Sequence, residues 1–231
     1  MKPMSMTLRV LAHLLSYPDA ALRGHLGEMS EALHQEGALP KDRLAELDAL
    51  MHRLAGAHGL ATEEAYVELF DRGRATALHL FEHVHGDSRD RGPAMVDLVK
   101  MYEQAGLYLT PGELPDHLTV VLEYASTQPA AQSREFLREI AHILQTIFSA
   151  LIHRQSPYAS AVAAVLELAG EKAEAVRLPD DPPLDEAWEE PAAFDGCSIQ
   201  GQARPGQPQP IQIVRRPPVA AAVQPQPGVC T

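Results

Sequence analysis

Apolar residues in positions 1–178 recur at spacings of three and four, which is the period of an amphipathic α-helix. One stripe consists of Leu22, Leu26, Met29 and Leu33, and a second of Leu44, Leu47, Met51 and Leu54. A longer stripe holds Phe136, Ile140, Ile143, Leu144, Ile147, Phe148 and Leu151. No segment alternates apolar and polar residues as a half-buried strand does. The pattern predicts about nine helices, near residues 5–15, 18–35, 41–56, 62–71, 75–85, 93–105, 115–126, 132–153 and 157–169.

The fold class that follows is all-α, with one globular helical domain over residues 1–178. A different composition begins at residue 179, since residues 179–231 hold 11 of the 19 prolines. The first part of this tail, residues 179–195, carries seven acidic residues and no basic ones, and residues 201–231 hold seven Pro and six Gln. Proline at this density breaks helices, so we expect the tail to be largely disordered.

The charge balance narrows the possible partners. Nineteen basic residues stand against 31 acidic ones, a net charge of −12. This excess repels phosphate backbones and suits a basic partner better than a nucleic acid. Both cysteines, Cys197 and Cys230, lie in the tail, which excludes a metal cage built from cysteines. We find neither a signal-peptide pattern nor an apolar run of roughly 18 residues, and expect a cytoplasmic protein without membrane insertion.

The densest polar stretch is TALHLFEHVHGDSRDRG at residues 76–92. On a helix, His79 and His83 share one side with Glu82 nearby, which suggests a metal pair, yet no third ligand is evident. Three Glu-x-x-His pairs also occur, as in di-iron bundles, but two of them point away from the apolar stripes. The other interpretations are a solvated helix face and a partner-recognition surface. We therefore predict no metal site and no cofactor.

A second polar stretch, PGELPDH at residues 111–117, has the features of a helix start. Pro115 fixes its own φ near −65°, and Asp116 suits the positive end of the helix that follows.

The run YVELFDRGRATALHLFEHVHGDSRDRGPAMVDL (66–98), followed by ELPDHLTVVLEY (113–124), closely resembles the assembly chaperones of respiratory nitrate reductase. These form the NarJ or delta-subunit family, within the TorD/DmsD-like class of molybdoenzyme chaperones. The class pattern Y-x-x-L-F stands at 66–70 and E-x-P-D-H at 113–117, while FEHVHG-[DE]-SRDRG, at 81–92, marks the nitrate-reductase branch. The resemblance covers about residues 1–178 and continues weakly into 184–197; Ala77 stands where we expect a small polar residue.

The resemblance implies a non-enzymatic chaperone. Such a protein binds the N-terminal peptide of the catalytic (alpha) subunit of nitrate reductase and keeps that subunit competent in the cytoplasm. It leaves once the molybdenum cofactor is inserted, before the enzyme docks on its membrane anchor. The machinery that delivers the molybdenum cofactor is a further expected partner.

The resemblance also implies candidate residues. For the client-peptide site, Tyr66, Phe70 and Phe81 would form or support an apolar floor, although such aromatics often belong to a core. The polar rim would comprise Asp71, His79, Glu82, His83, Arg89 and Asp90. A hinge between two helical halves would contain Glu113, Pro115, Asp116 and His117. Two other functions stay open: a helical metal-dependent enzyme using the His79/Glu82/His83 cluster, and a scaffold acting through its Pro-rich tail.

Overall fold

A computed structural model of the protein describes residues 2–56, 58–84 and 90–177. Those ranges contain eleven α-helices: α1 (Ser5–Leu14), α2 (Ala20–Gly24), α3 (Leu26–Glu36), α4 (Lys41–Gly56), α5 (Gly59–Tyr66), α6 (Leu80–Val84), α7 (Arg91–Gln104), α8 (Leu118–Thr127), α9 (Ala130–Glu139), α10 (Ala141–His153) and α11 (Ala159–Ala169). A π-helical turn (Val67–Asp71) continues α5, and a 3-10 turn (Arg74–Thr76) follows it. The same ranges hold no strand, only one isolated antiparallel bridge between His79 and His117. The all-α prediction is confirmed.

The core is built around α11, where ten of eleven residues are buried. This helix packs against α9 and α10, and α1 packs along α8. Most of the buried positions of α11 are Ala or Val, whose small side chains let neighbouring helices approach closely on several sides. The helix ends at Gly170, whose φ of 90° is accessible to glycine without steric cost. These helices form a scaffold whose stability comes from apolar burial.

Two predicted helices are each divided in two. The predicted helix 18–35 breaks at His25 (φ −101°, ψ 2°) into α2 and α3, and the predicted helix 132–153 breaks at Ile140 (φ −94°, ψ 3°) into α9 and α10. One non-helical residue at each break redirects the chain while apolar residues on both sides still reach the core. Periodicity alone therefore could not reveal either break.

The predicted helix 75–85 is also shorter in the structure, because α6 begins only at Leu80. The preceding chain makes a tight turn in which Thr76 Oγ1 bonds to Leu69 O and, at 3.1 Å, to Gly73 O. A Cβ on Gly73 would clash with Thr76 Oγ1 and with Leu69 O, so this turn requires glycine. It places residues 77–79 beside the start of α8.

Among the described helices, none is both long enough and apolar enough to cross a lipid bilayer. The predicted tail, 179–231, lies outside the described residues, so its separation from the helical body stays a prediction.

Candidate functional site

Two stretches that the sequence singled out separately, 76–92 and 111–117, meet in space. The backbone N–H of Leu80 donates to Asp116 O at 3.0 Å, and that of Leu118 donates to Leu78 O at 2.8 Å. These two bonds form a short antiparallel bridge between the chain entering α6 and the chain entering α8. The bridge brings candidate rim residues and candidate hinge residues into one cluster.

Asp116 is the centre of this cluster and is fully buried. Its Oδ2 accepts a hydrogen bond from the Phe81 N–H at 3.2 Å and lies 3.6 Å from Arg91 Nη2, while its Oδ1 lies 3.5 Å from His79 Nδ1. Because Phe81 is in the first turn of α6, the carboxylate lies at the positive end of that helix and stabilises it. The side chain of Asp116 therefore caps α6, whereas α8 has His117 as N-cap and no side-chain cap bond.

The electrostatics of the cluster follow from these contacts. Burial alone would raise the pKa of Asp116, but hydrogen bonds from His79 and the Phe81 N–H, together with the charges of His79 and Arg91, hold it below its ordinary value. The hydrogen bond with Asp116 in turn raises the pKa of His79. The cluster therefore favours an ionised carboxylate beside a protonated imidazole.

The pKa of His117 is shifted in the opposite direction from that of His79. Its ring lies 4.9 Å from that of His79, nearly perpendicular to it, and its Nδ1 lies 2.6 Å from Thr119 Oγ1. Burial, assisted by the positive charge of His79, lowers the pKa of His117 to about 4. Two adjacent histidines are thus driven toward different protonation states.

Arg91, the first residue of α7, was missed by the sequence reasoning. Its Nη2 lies 3.6 Å from Glu82 Oε1 as well as 3.6 Å from Asp116 Oδ2, so one guanidinium links α7 to α6 and to the bridge. No local signal marks Arg91, because the sequence does not show that residue 91 lies close to Glu82 and Asp116.

The other residues of the predicted hinge are held by local bonds. Pro115 is buried and its carbonyl accepts a hydrogen bond from Tyr102 Oη at 2.8 Å. Glu113 is exposed, and its Oε2 accepts from the Thr110 N–H at 2.9 Å. Tyr102 is the only buried residue of α7, and it was not among the predicted site residues.

The aromatic candidates Tyr66 and Phe70 lie in the core. Tyr66 donates from its hydroxyl to Leu15 O at 2.8 Å, and both rings pack edge-on against Tyr158. Burial raises the pKa of the Tyr66 hydroxyl. These rings offer no free surface, so any part they play is to support the neighbouring exposed residue, Asp71.

The remaining rim candidates lie along α6 and at the start of α7. Phe81 and His83 are half-buried, and His83 Nε2 lies 2.8 Å from Ala77 O. Asp90 is exposed, and its carbonyl accepts from the Ala94 N–H at 3.3 Å. Arg89 lies outside the described residues.

The metal-site alternative finds no support in this geometry. His79 precedes α6, and its Nδ1 faces Asp116 instead of sharing a helix side with His83. In the ranges that the structure describes, no group of three or more His, Cys, Asp or Glu side chains is arranged to hold a metal ion.

Comparison with known proteins agrees with the sequence motifs. The family model described as nitrate reductase delta subunit matches residues 19–164. Two curated relatives, from Escherichia coli K12 and Escherichia coli O157:H7, are each named nitrate reductase molybdenum cofactor assembly chaperone NarJ. Each is 45% identical over 193 residues, covering 79% of this chain and 82% of the relative.

A solved structure supports the fold. A protein of Archaeoglobus fulgidus, named for redox enzyme maturation, matches with a TM-score of 0.51 at 21% identity, over 73% of this chain and 94% of that one. At this identity the likeness concerns the fold alone. The extent of the family match, with the two motifs that meet at Asp116, places the chain in the nitrate reductase delta subunit family.

Proposed function

We propose that this protein is an assembly chaperone for a nitrate reductase, acting before that enzyme is complete. The observation that carries the proposal is the 45% identity to chaperones named for molybdenum cofactor assembly of nitrate reductase, spread over most of both chains. The client is the catalytic subunit. The chaperone binds its N-terminal peptide and keeps the subunit competent for cofactor insertion.

The structure supports a binding role for the cluster around Asp116. Buried charge at the bridge fixes α6, whose outer residues Glu82 and His83 are only half-buried and so can reach a partner. The net charge of −12 gives long-range attraction to a basic client peptide. No covalent chemistry is required of these side chains, which suits a protein that holds its client without transforming it.

The direct test uses cells that lack their own chaperone of this kind and express the client nitrate reductase. Supplying this chain should restore the molybdenum content of the catalytic subunit and its nitrate-reducing activity, and the two proteins should co-purify before cofactor insertion. If molybdenum content stays at the level of the deletion strain, the proposal is wrong.

The position of the peptide site has a separate test. Replacing His83 and Arg89 by Ala should weaken binding of the client's N-terminal peptide in calorimetry, with little change in melting temperature. His52 provides a matched control, since it is an exposed histidine on α4, remote in sequence from both motifs. An affinity unchanged by the double replacement would place the peptide elsewhere.

A further inference from the structure

Helix α7 is tied to the rest of the domain by polar contacts at its two ends. At its start, Arg91 Nη2 lies 3.6 Å from Asp116 Oδ2, and near its end Tyr102 Oη donates to Pro115 O at 2.8 Å. Both ties lead to consecutive residues of the chain that enters α8. Within the described ranges, no other helix packs closely along α7. A small movement of residues 115 and 116 would therefore loosen both ends of α7 together.

The side of α7 that faces the domain is apolar. Four residues on this side are half-buried: Met95, Leu98, Val99 and Met101. Val96 lies on the opposite side of the helix and is 52% exposed. The inner side is thus covered, but by loose packing in which none of these four side chains is fully buried.

The position of α7 places this apolar side next to the candidate peptide site. At the start of the helix, Arg91 also lies 3.6 Å from Glu82 Oε1 of α6. Near its end, the Tyr102 ring packs against Tyr124 of α8, with the ring centres 4.9 Å apart. The helix therefore crosses from α6 to α8 and covers the surface between them. The candidate rim residues Glu82 and His83 lie at the edge of that surface.

We propose that α7 is an autoinhibitory strap. In the closed state, which the structure shows, its apolar side occupies the surface between α6 and α8. In the open state α7 swings away from Pro115 and Asp116, and the client's N-terminal peptide takes its place. A 14-residue helix is about 21 Å long, so the uncovered surface suits an amphipathic client helix of similar length. The inference rests on the proposed chaperone function and adds regulation of the same peptide site.

A strap of this kind has a thermodynamic signature. Closure hides an apolar surface that would otherwise promote association of the free protein. It also lowers the apparent affinity for the client by the fraction of molecules that are open. Weakening the contacts that hold α7 closed should therefore tighten client binding. A helix that formed a wall of the peptide site would give the opposite sign, because the same changes would then remove contacts with the client.

The first test measures binding of the client's N-terminal peptide to the full-length chaperone by calorimetry. Tyr102→Phe removes the hydrogen bond to Pro115 O, so we expect it to bind the peptide about fivefold more tightly than wild type. Tyr124→Phe is the matched control, because it removes the hydroxyl of the neighbouring ring, which bonds to no described residue. Its affinity should equal that of wild type.

A second pair of variants acts on the apolar side. Leu98→Ser weakens the packing of closed α7 and should also tighten peptide binding, whereas Val96→Ser, on the exposed side, should leave the affinity unchanged. Hydrogen exchange gives a direct readout in the wild-type protein. Saturating peptide should accelerate exchange in α7, because a detached helix of 14 residues is marginally stable in water.

The outcomes separate the strap from the chaperone function. If wild type binds the peptide but Tyr102→Phe and Leu98→Ser bind it no more tightly, the strap proposal is overturned and the chaperone function stands. Slower exchange in α7 with bound peptide would also overturn it, because α7 would then be a wall of the site. Equal tightening by Tyr124→Phe or Val96→Ser would show that the effect does not come from closure. If wild type does not bind the peptide at all, the peptide site and the strap both fall.

Discussion

Helices α11 and α7 are similar in length and opposite in packing. In α11, ten of 11 residues are buried, whereas in α7 only Tyr102 of 14 residues is. The apolar residues of α7 are not lacking: Met95, Leu98, Val99 and Met101 are each half-buried, and Val96 is 52% exposed. One helix is therefore fixed by apolar burial along its length, and the other is fixed mainly by polar contacts at its two ends.

Those end contacts are specific. Arg91, at the start of α7, reaches Glu82 and Asp116, and Tyr102, near the end of α7, bonds to Pro115. Regions with few buried apolar contacts open at low free-energy cost, and flexible methionine side chains adapt to different partners. The comparison indicates two kinds of packing: a rigid scaffold around α11, and a loosely packed helix, α7, next to the candidate site.

The largest expected effect is in the scaffold. Leu166→Ala in α11 should lower the free energy of unfolding by about 2–5 kcal/mol, because a fully buried side chain leaves a cavity. Leu98→Ala in α7 should cost much less, since that side chain is only half-buried. Urea unfolding of both variants measures the difference, and equal losses would break the comparison.

A smaller loss is expected at Asp116. Asp116→Ala removes the acceptor of the Phe81 N–H and leaves His79 and Arg91 without their shared carboxylate, which should cost about 2–3 kcal/mol. The protein should still fold, because a domain of this size has roughly 5–15 kcal/mol of stability. Nitrate reductase maturation should fall nonetheless, since α6 loses its position.

Asp116→Asn keeps the shape of the side chain but removes its charge. The amide oxygen can still accept a hydrogen bond from the Phe81 N–H. We expect an intermediate loss of stability, with hydrogen exchange accelerated more in α7 than in α11. Exchange that rises equally in both helices would show that Asp116 supports the whole domain and not the α6–α7 region.

The next effect is at the far end of α7. Tyr102→Phe removes the hydroxyl that bonds to Pro115 O and should cost about 1 kcal/mol. The ring stays packed against Tyr124, their centres 4.9 Å apart, so the core contact is kept. Hydrogen exchange should again increase more in α7 than in α11. A variant as stable as wild type, with unchanged exchange, would show that the bond contributes nothing to holding this helix.

Where apolar periodicity is strong, the sequence predicts the scaffold well. The stripe from Ile143 to Leu151 forms α10, and Gly37 and Gly170 end α3 and α11 with positive φ, as expected of C-terminal glycines. The breaks at His25 and Ile140 were missed because a one-residue change of direction leaves the apolar spacing almost intact. Local pattern carries no information about such a change.

The candidate site was harder to predict from the sequence, because its key contacts join residues that are distant in sequence. Motif resemblance identified Asp116 and His79, but it did not show that the Asp116 carboxylate pairs with the His79 imidazole across the bridge. Local reasoning gave Asp116 only a helix-start role, whereas complete burial beside Arg91 makes it the centre of a network. Arg91 and Tyr102 gave no sign in the pattern, since each matters only through a partner brought close by the fold.

A further expected effect is a dependence of stability on pH that comes from the two histidines of the cluster. The pKa of His117 is about 4 in the folded protein and about 6.5 unfolded. Between these values the unfolded chain binds more protons, so this residue makes stability rise with pH. The pKa of His79 is raised by folding, so its contribution is complete below pH about 6.5 and is lost as pH rises through the folded value. The two slopes are opposite and meet near pH 6.5.

Single replacements should separate these slopes in urea midpoints measured from pH 5 to 8. His117→Gln should flatten the rise on the acid side, and His79→Gln should flatten the fall on the alkaline side. Leu166→Ala is the control from the scaffold: it removes no titratable group, so its curve should run parallel to wild type and only lower. If the His117→Gln and His79→Gln curves are also parallel to wild type, the cluster does not couple protonation to folding. The contrast between the α11 scaffold and the α6–α7 region would then be one of apolar packing only.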